Sequence, residues 1–445
     1  MKIHFIAIGG SVMHNLAIAL KKQGHEITGS DDLIFDPSKS KLEANGLLPE
    51  NQGWSVENIS ADLDMVILGM HAKADNPELK KAQELGLKIH SYPSFIAEHS
   101  KNKQRIVIGG SHGKTTVTSI IINALQYSKR DFDYLIGATP HGFEENIRLS
   151  DGAPIIIIEG DEYLTSPLDK TPKFLHYDRH IGLVTGIAWD HINVYPDYDG
   201  YVEQFRKFME GTPKAGTLIY NSTDKLVADI AQKGAIREDV FQYPYEAHKH
   251  KLKDGVTYLI DHNKNKVPIK LFGEHNLMNI SGALEVCLKI GVTKEQFYAS
   301  IQNFEGANMR LQFLKETNGN KVFRDFAHAP SKVTATVNAV KTQFGKHLLT
   351  ACVELHTFSS LNKEFIPQYK DALKKADTAV VYFNPKAVEH KKLTPFSKEE
   401  LIEAFNRKDL LVFDDSAKLE TFLAEKAQTE NVLLMSSGDF GGMKI

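Results

Sequence analysis

Apolar residues along this chain recur in two rhythms. Short apolar runs at residues 3–8, 65–68, 105–108, 155–158 and 182–184 predict strands, those at 65–68 and 155–158 buried, and a more polar strand is expected at 26–29. Between them the spacing becomes helical at 15–22 and 76–85, and Gly9-Gly10-Ser11 and Gly69 mark turns. Strand–helix alternation with glycine turns predicts a doubly wound parallel sheet over the first hundred residues. The polar cluster Lys101-Asn102-Lys103-Gln104 separates that unit from a second one, which opens at Arg105 and runs to about Gly306. After Lys214 the pattern turns more polar and β-like, with a charged turn at 261–266, and 275–290 reads as a helix with an apolar face. A third α/β layer follows, with apolar strands expected at 348–353, 379–383 and 432–435. The expected division is 1–103, 104–306 and 307–445.

Length and composition narrow the class. The 445 residues allow about three domains. Lys+Arg 53 against Asp+Glu 56 leaves a net charge of −3, so no global basic field calls for nucleic acid. Residues 155–158, the longest aliphatic run, are far shorter than the ~20 apolar residues a membrane helix needs. His4, Gly9-Gly10, His14 and Asn15 interrupt the apolar start, which therefore does not read as a signal peptide. Cys287 and Cys352 are the two cysteines, too few for a disulfide framework. The expectation is a cytoplasmic protein without membrane or nucleic-acid partners.

The strongest chemical signal is Gly109-Gly110-Ser111-His112-Gly113-Lys114-Thr115-Thr116. A β-branched strand enters it, and the helix that leaves it places Val117, Ile120, Ile121, Ala124 and Leu125 on one face. Such a turn lets backbone N–H groups converge on phosphate oxygens at a helix N-terminus. Lys114 would neutralise charge on the β- and γ-phosphates of a nucleotide, and the Thr115 hydroxyl would bind Mg²⁺. The general P-loop has glycine where Ile108 stands, so an accidental strand–turn–helix corner is the alternative.

A second run, residues 154–158, delivers Glu159-Gly160-Asp161-Glu162-Tyr163 at a strand end, where α/β sheets bind ligands. A carboxylate there can share Mg²⁺ with Thr115; the bland alternative is three acids solvating a strand end. Asp190-His191 also follows a strand-like run, and taken alone reads as structural. Gly9-Gly10-Ser11, with Asp31 some twenty residues on, has the layout of a dinucleotide turn. Ser11 and His14 break that fingerprint, which disfavours NAD but leaves room for another ligand's pyrophosphate.

Over essentially its full length the chain resembles the Mur ligases, ATP-dependent amide-forming enzymes of bacterial peptidoglycan metabolism. The resemblance rests on residues 110–116, Glu159-Gly160-Asp161-Glu162, Asp190-His191, Gly273-Glu274-His275-Asn276 with Asn279, Arg310, and Asp325-Phe326-Ala327-His328-Ala329-Pro330. The histidine in the phosphate loop points to the branch acting on UDP-N-acetylmuramate. Asp161-Glu162-Tyr163, residues 169–177 and residues 435–442 look most like the recycling enzymes of that branch. These join the murein tripeptide L-Ala-γ-D-Glu-meso-diaminopimelate to UDP-N-acetylmuramate; the alternative amine is L-alanine. A non-catalytic sensor of UDP-sugar and ATP is the rival from another class.

The resemblance implies a Rossmann-like UDP-sugar domain, a central P-loop ATPase domain, and a Rossmann-like domain for the amine. It implies Gly110, Ser111, His112, Gly113, Lys114, Thr115 and Thr116 around ATP phosphate, with Lys114, Glu159 and His191 catalytic. Thr115, Glu159 and His191 would be magnesium ligands. Asn276 and Asn279 would contact ATP, Arg310 its phosphates and Asp325 its ribose. Gly9, Gly10 and Ser11 would face the UDP pyrophosphate, with Asp31 near the uridine and His328 among the substrate contacts. The chain departs from the family at Gly186, Ala188, Met309, Arg324 and Ala329, mostly at expected ATP or amine contacts. Lys207 lies at about the spacing of the family's carbamylated lysine, but the muramate branch generally lacks that group, so it is not assigned the role.

Overall fold

The computed structural model describes residues 1–138, 142–143, 145–189, 194–307 and 309–443. Two compact units divide them: Met1–Ile187 with Val202–Pro244, and Ala188–Tyr201 with Tyr245–Ile445. No helix among the described residues is long and apolar enough to cross a membrane.

The first unit carries two sheets. In the smaller, the strand order is Glu26–Ser30, Lys2–Ile6, Met65–Leu68, Ile89–Ser91, all parallel. Met65–Leu68 is buried at every position, as strands with both faces covered must be. The larger sheet has seven strands, with Gln104–Gly109 at its centre between Ile155–Glu159 and Ile181–Val184. Both neighbours run parallel to it, so three strand C-termini open at one edge. The run Ile155, Ile156, Ile157, Ile158 is wholly buried there and stops at the half-buried Glu159.

Local chemistry sets the helix starts. Asn76 accepts the Glu78 and Leu79 N–H groups ahead of Pro77–Glu84. The first helix runs Ser11–Lys22 and so begins directly on the Gly9-Gly10 turn, four residues earlier than the apolar spacing predicts. Its first turn, Ser11-Val12-Met13-His14, mixes polar and apolar residues directly after the glycines, which is why periodicity alone misses it.

The second unit carries a three-stranded antiparallel sheet, His250–Lys253, Val256–Ile260 and Lys266–Ile269. Its six-stranded sheet has the order Gln312–Thr317, Asn320–Asp325, Asn431–Met435, Leu349–Leu355, Thr378–Phe383, Leu411–Phe413. The first pair is antiparallel and the others parallel. Separate apolar clusters cover its two faces, one around Phe323, Val353 and Leu433, the other around Val322, Cys352, Leu434 and Phe440.

Candidate functional site

In the first unit, the chain leaves Gln104–Gly109, passes through Gly110 to Gly113, and enters the helix Lys114–Tyr127. Gly110 has φ +131°, and a Cβ there would stand 1.9 Å from Thr185 Oγ1. Gly113 caps the helix at φ +79°. Both positions are closed to ordinary side chains. Neighbouring backbone pins the loop: Thr185 N–H donates to Gly109 O at 3.0 Å, Ser111 N–H donates to Gly186 O at 2.9 Å, and the Thr185 hydroxyl donates to His112 O. Gly186, one of the departures from the family, thus serves through its carbonyl.

Lys114 Nζ donates to Glu162 Oε2 at 2.8 Å and also to Gly110 O. Burial on its own would lower the Lys114 pKa, but Glu162, Asp161 and Glu159 outweigh it and hold the ammonium above its ordinary value. The Thr115 hydroxyl donates to Glu159 Oε1 at 2.8 Å, and Gly137 N–H donates to Glu159 Oε2 at 2.8 Å. Thr115 and Glu159 are therefore already side by side, the donor set of a hard oxygen-ligated cation next to a phosphate cradle. Asp161 pairs instead with Lys173. Burial would raise its pKa, yet Lys173 and Lys114 hold it down at about 2. Lys173 also lies over the rings of Tyr92 and Tyr163.

The amino-terminal turn is close by. Ser11, Val12 and Asn15 line one small cavity with Ile136 and Gly137, the residue that holds Glu159. Asp31 is buried, and its Oδ2 accepts the Gly9 N–H at 2.7 Å. Burial pushes its pKa up to about 6 despite that bond.

The second unit assembles the other predicted residues. Asn276 and Asn279 are buried on the helix Glu274–Lys289, and Asn276 Nδ2 donates to Phe272 O at 2.9 Å. Asp325 accepts the backbone N–H groups of Leu311 and Ala327 at 2.5 and 2.7 Å. Arg310 stacks over the Phe326 ring, 4.7 Å from its centroid, and His328 Nδ1 donates to Phe326 O at 2.8 Å. Burial lowers the pKa of His275, against the charges of Asp325 and Glu274. Arg310, Asp325, His328 and the start of the Glu274 helix thus form one group.

Asp190-His191 lies outside the described residues. No group of three or more His, Cys, Asp or Glu able to hold a metal is found among the described residues. Sequence reasoning missed the particular roles of Glu162 as the lysine's partner, Thr185 as the loop's floor, Gly137 and Lys173. None is signalled by a spacing rule, because each partner comes from a separate strand or loop.

Residues 108–287 match the Mur ligase middle domain, and residues 2–104 match the Mur ligase family, catalytic domain. The chain is 28% identical, over 99% of its length and 97% of the relative's, to the UDP-N-acetylmuramate–L-alanyl-gamma-D-glutamyl-meso-2,6-diaminoheptandioate ligase of Haemophilus influenzae. It is 30% identical to the UDP-N-acetylmuramate–L-alanine ligase of Arthrobacter sp., over 85% of this chain and 80% of that one. Among solved structures, the UDP-N-acetylmuramate–alanine ligase of Thermotoga maritima superposes with a TM-score of 0.73 at 18% identity. That structural match covers 99% of this chain and 97% of the other, and shows the shared fold.

Proposed function

The chain belongs to the Mur ligase family of ATP-dependent amide ligases, and on that premise we propose that it joins L-Ala-γ-D-Glu-meso-diaminopimelate to UDP-N-acetylmuramate, the ligation step of peptidoglycan recycling. Membership in a ligase family sets the non-catalytic sensor aside. The observation that carries the substrate reading is the near full-length similarity to the Haemophilus tripeptide ligase. In this reading residues 1–103 would hold the UDP-sugar, 104–306 ATP and 307–445 the amine.

The residues present fit ATP and Mg²⁺. At Gly110 a Cβ would collide with Thr185, so only glycine lets the Gly110–Gly113 turn lie this close to the neighbouring strand at the helix N-terminus, and Thr115 with Glu159 offers paired hard oxygens. Bound there, Mg-ATP supplies the phosphoryl group that turns the lactoyl carboxylate into an acyl phosphate. Lys114 would exchange Glu162 for phosphate and offset charge on the transferred group. The backbone N–H groups at the head of the Lys114 helix would orient it. Glu159, fixed by Gly137 N–H, would hold the cation against Thr115. Asp161, occupied by Lys173, would shape the site rather than bind the metal. Gly9, Gly10 and Ser11 would take the UDP pyrophosphate, with Asp31 setting the turn. Asn276, Asn279, Arg310 and Asp325 would contact ATP, His328 the substrate, and His191 would be a ligand of a second magnesium ion. The neutral amine of the peptide then attacks the activated carboxyl, and phosphate leaves.

The second reading, L-alanine as the amine, draws on the similarity to the Arthrobacter ligase. Parallel reactions with ATP, Mg²⁺ and UDP-N-acetylmuramate, one with tripeptide and one with L-alanine, separate them by product mass. A tripeptide adduct is expected. An alanine adduct alone would move the enzyme to the biosynthetic reaction.

A further inference from the structure

At the C-terminal edge of the six-stranded sheet, a half-buried arginine lacks an anion. Arg324 lies on the strand Asn320–Asp325, level with Leu434 of the neighbouring strand. Strand alternation puts it on the same face as Val322, the face packed with Cys352, Leu434 and Phe440. Its Nη2 donates to Gly438 O at 3.2 Å, while its buried Nε has no acceptor. Among the described residues no carboxylate pairs with it. A guanidinium has five donors in a planar fork, and leaving a buried donor unmet is costly.

The loop that receives Arg324 is otherwise tightly held. Glu354 is only 1% exposed and accepts the Ser436 hydroxyl and the Phe440 N–H, the latter at 2.9 Å. Both bonds land on Oε2, while Oε1 lies 3.8 Å from His356 Nδ1, and neither oxygen pairs with Arg324. In the same loop, the buried hydroxyl of Ser437 has no partner either. Two unmet polar groups, one cationic and one neutral, thus flank Gly438 where a parallel sheet opens at its strand C-termini. That edge is where such sheets take ligands.

We propose that Arg324, with Ser437 beside it, recognises a carboxylate of the incoming peptide that L-alanine does not possess, and so acts as a specificity-determining residue. This rests on the tripeptide reading above. The free tripeptide carries three carboxylates and two ammonium groups, whereas L-alanine has one of each. A planar bidentate cation is suited to the extra carboxylates. Holding Gly438 alone would use one donor of the fork and leave the others idle.

The test is steady-state ligation by wild type, Arg324→Ala and Arg324→Lys, with tripeptide varied at saturating ATP, Mg²⁺ and UDP-N-acetylmuramate, alongside melting temperatures. Loss of the fork is expected to raise the tripeptide KM by about tenfold or more, with kcat much less affected. Lysine should restore part of that loss, and the melting temperature should stay close to wild type. A tripeptide KM unmoved by Arg324→Ala overturns the assignment. So does a fall in kcat and melting temperature at constant KM, the pattern of a residue that only braces the loop. Wild type that forms no tripeptide adduct overturns the substrate reading and this assignment together.

Discussion

Lys114 donates to Glu162 across 2.8 Å, with the lysine 14% and the glutamate 1% exposed. The ammonium of the phosphate loop is thereby already neutralised before any nucleotide arrives, and phosphate has to compete for it. Lys114→Ala should lower ligation by at least about 1,000-fold. UDP-N-acetylmuramate binding, measured by calorimetry, should persist. Near-normal turnover by this variant would remove the lysine from the mechanism.

Glu162→Gln probes the other half of the pair. It leaves Lys114 charged and partly unpaired, which should cost about 3 kcal/mol of stability in the nucleotide-free chain. Mg-ATP returns an anion to the lysine, so it should raise the melting temperature more in this variant than in wild type. Equal ATP-induced shifts would show that Glu162 does not hold the place of phosphate.

Gly110 tests the cradle. Alanine there would meet Thr185 Oγ1 at 1.9 Å and the Thr185 backbone nitrogen at 3.0 Å, with φ at +131°. Strain of this kind costs about 1–3 kcal/mol, and Gly110→Ala should weaken ATP binding by tenfold or so even where the chain still folds. Unchanged ATP affinity by fluorescence titration would contradict the loop geometry.

Thr115 and Glu159 should act as one unit. Thr115→Val and Glu159→Gln are each expected to reduce the rate on the order of 100-fold and to raise the Mg²⁺ requirement. Because both serve one cation, the double variant should lose much less than the product of the two losses. Fully multiplicative losses would show two independent roles.

Asp31 gives a pH signature. Its folded pKa is raised by burial to about 6, above the carboxylate value of an unfolded chain. The unfolded state therefore releases this proton first as pH rises. Asp31's contribution to stability is present below about pH 4 and is lost as pH climbs through about 6, an effect on the order of 2 kcal/mol. Asp31→Asn can still accept the Gly9 N–H and should flatten that part of the stability–pH curve. A variant as steep as wild type between pH 4 and 6 would refute the assignment.

Much of this was legible where the signal is local. The strands Met65–Leu68 and Ile155–Glu159, buried throughout except at Glu159, stand within a residue of the apolar runs that predict them. Strand, glycine turn and helix around Lys114 are equally close to expectation, because backbone, glycine and helix start are all encoded within a dozen residues. The hairpin Gln312–Thr317 and Asn320–Asp325 went unread because its first strand is mostly half-buried or exposed. Its clue was the Asn318-Gly319 pair, both at positive φ, a common two-residue hairpin turn. What sequence could not supply was pairing across the sheet: Thr185 under Gly110, Lys173 on Asp161, and the missing anion at Arg324 depend on strand order.

The central claim is that ATP activates the lactoyl carboxylate of UDP-N-acetylmuramate before the peptide attacks. It is tested most directly by ¹⁸O placed in both oxygens of that carboxylate, with product phosphate and amide analysed by mass. The account predicts one ¹⁸O in the phosphate for each tripeptide amide formed. Amide formed with unlabelled phosphate would contradict it.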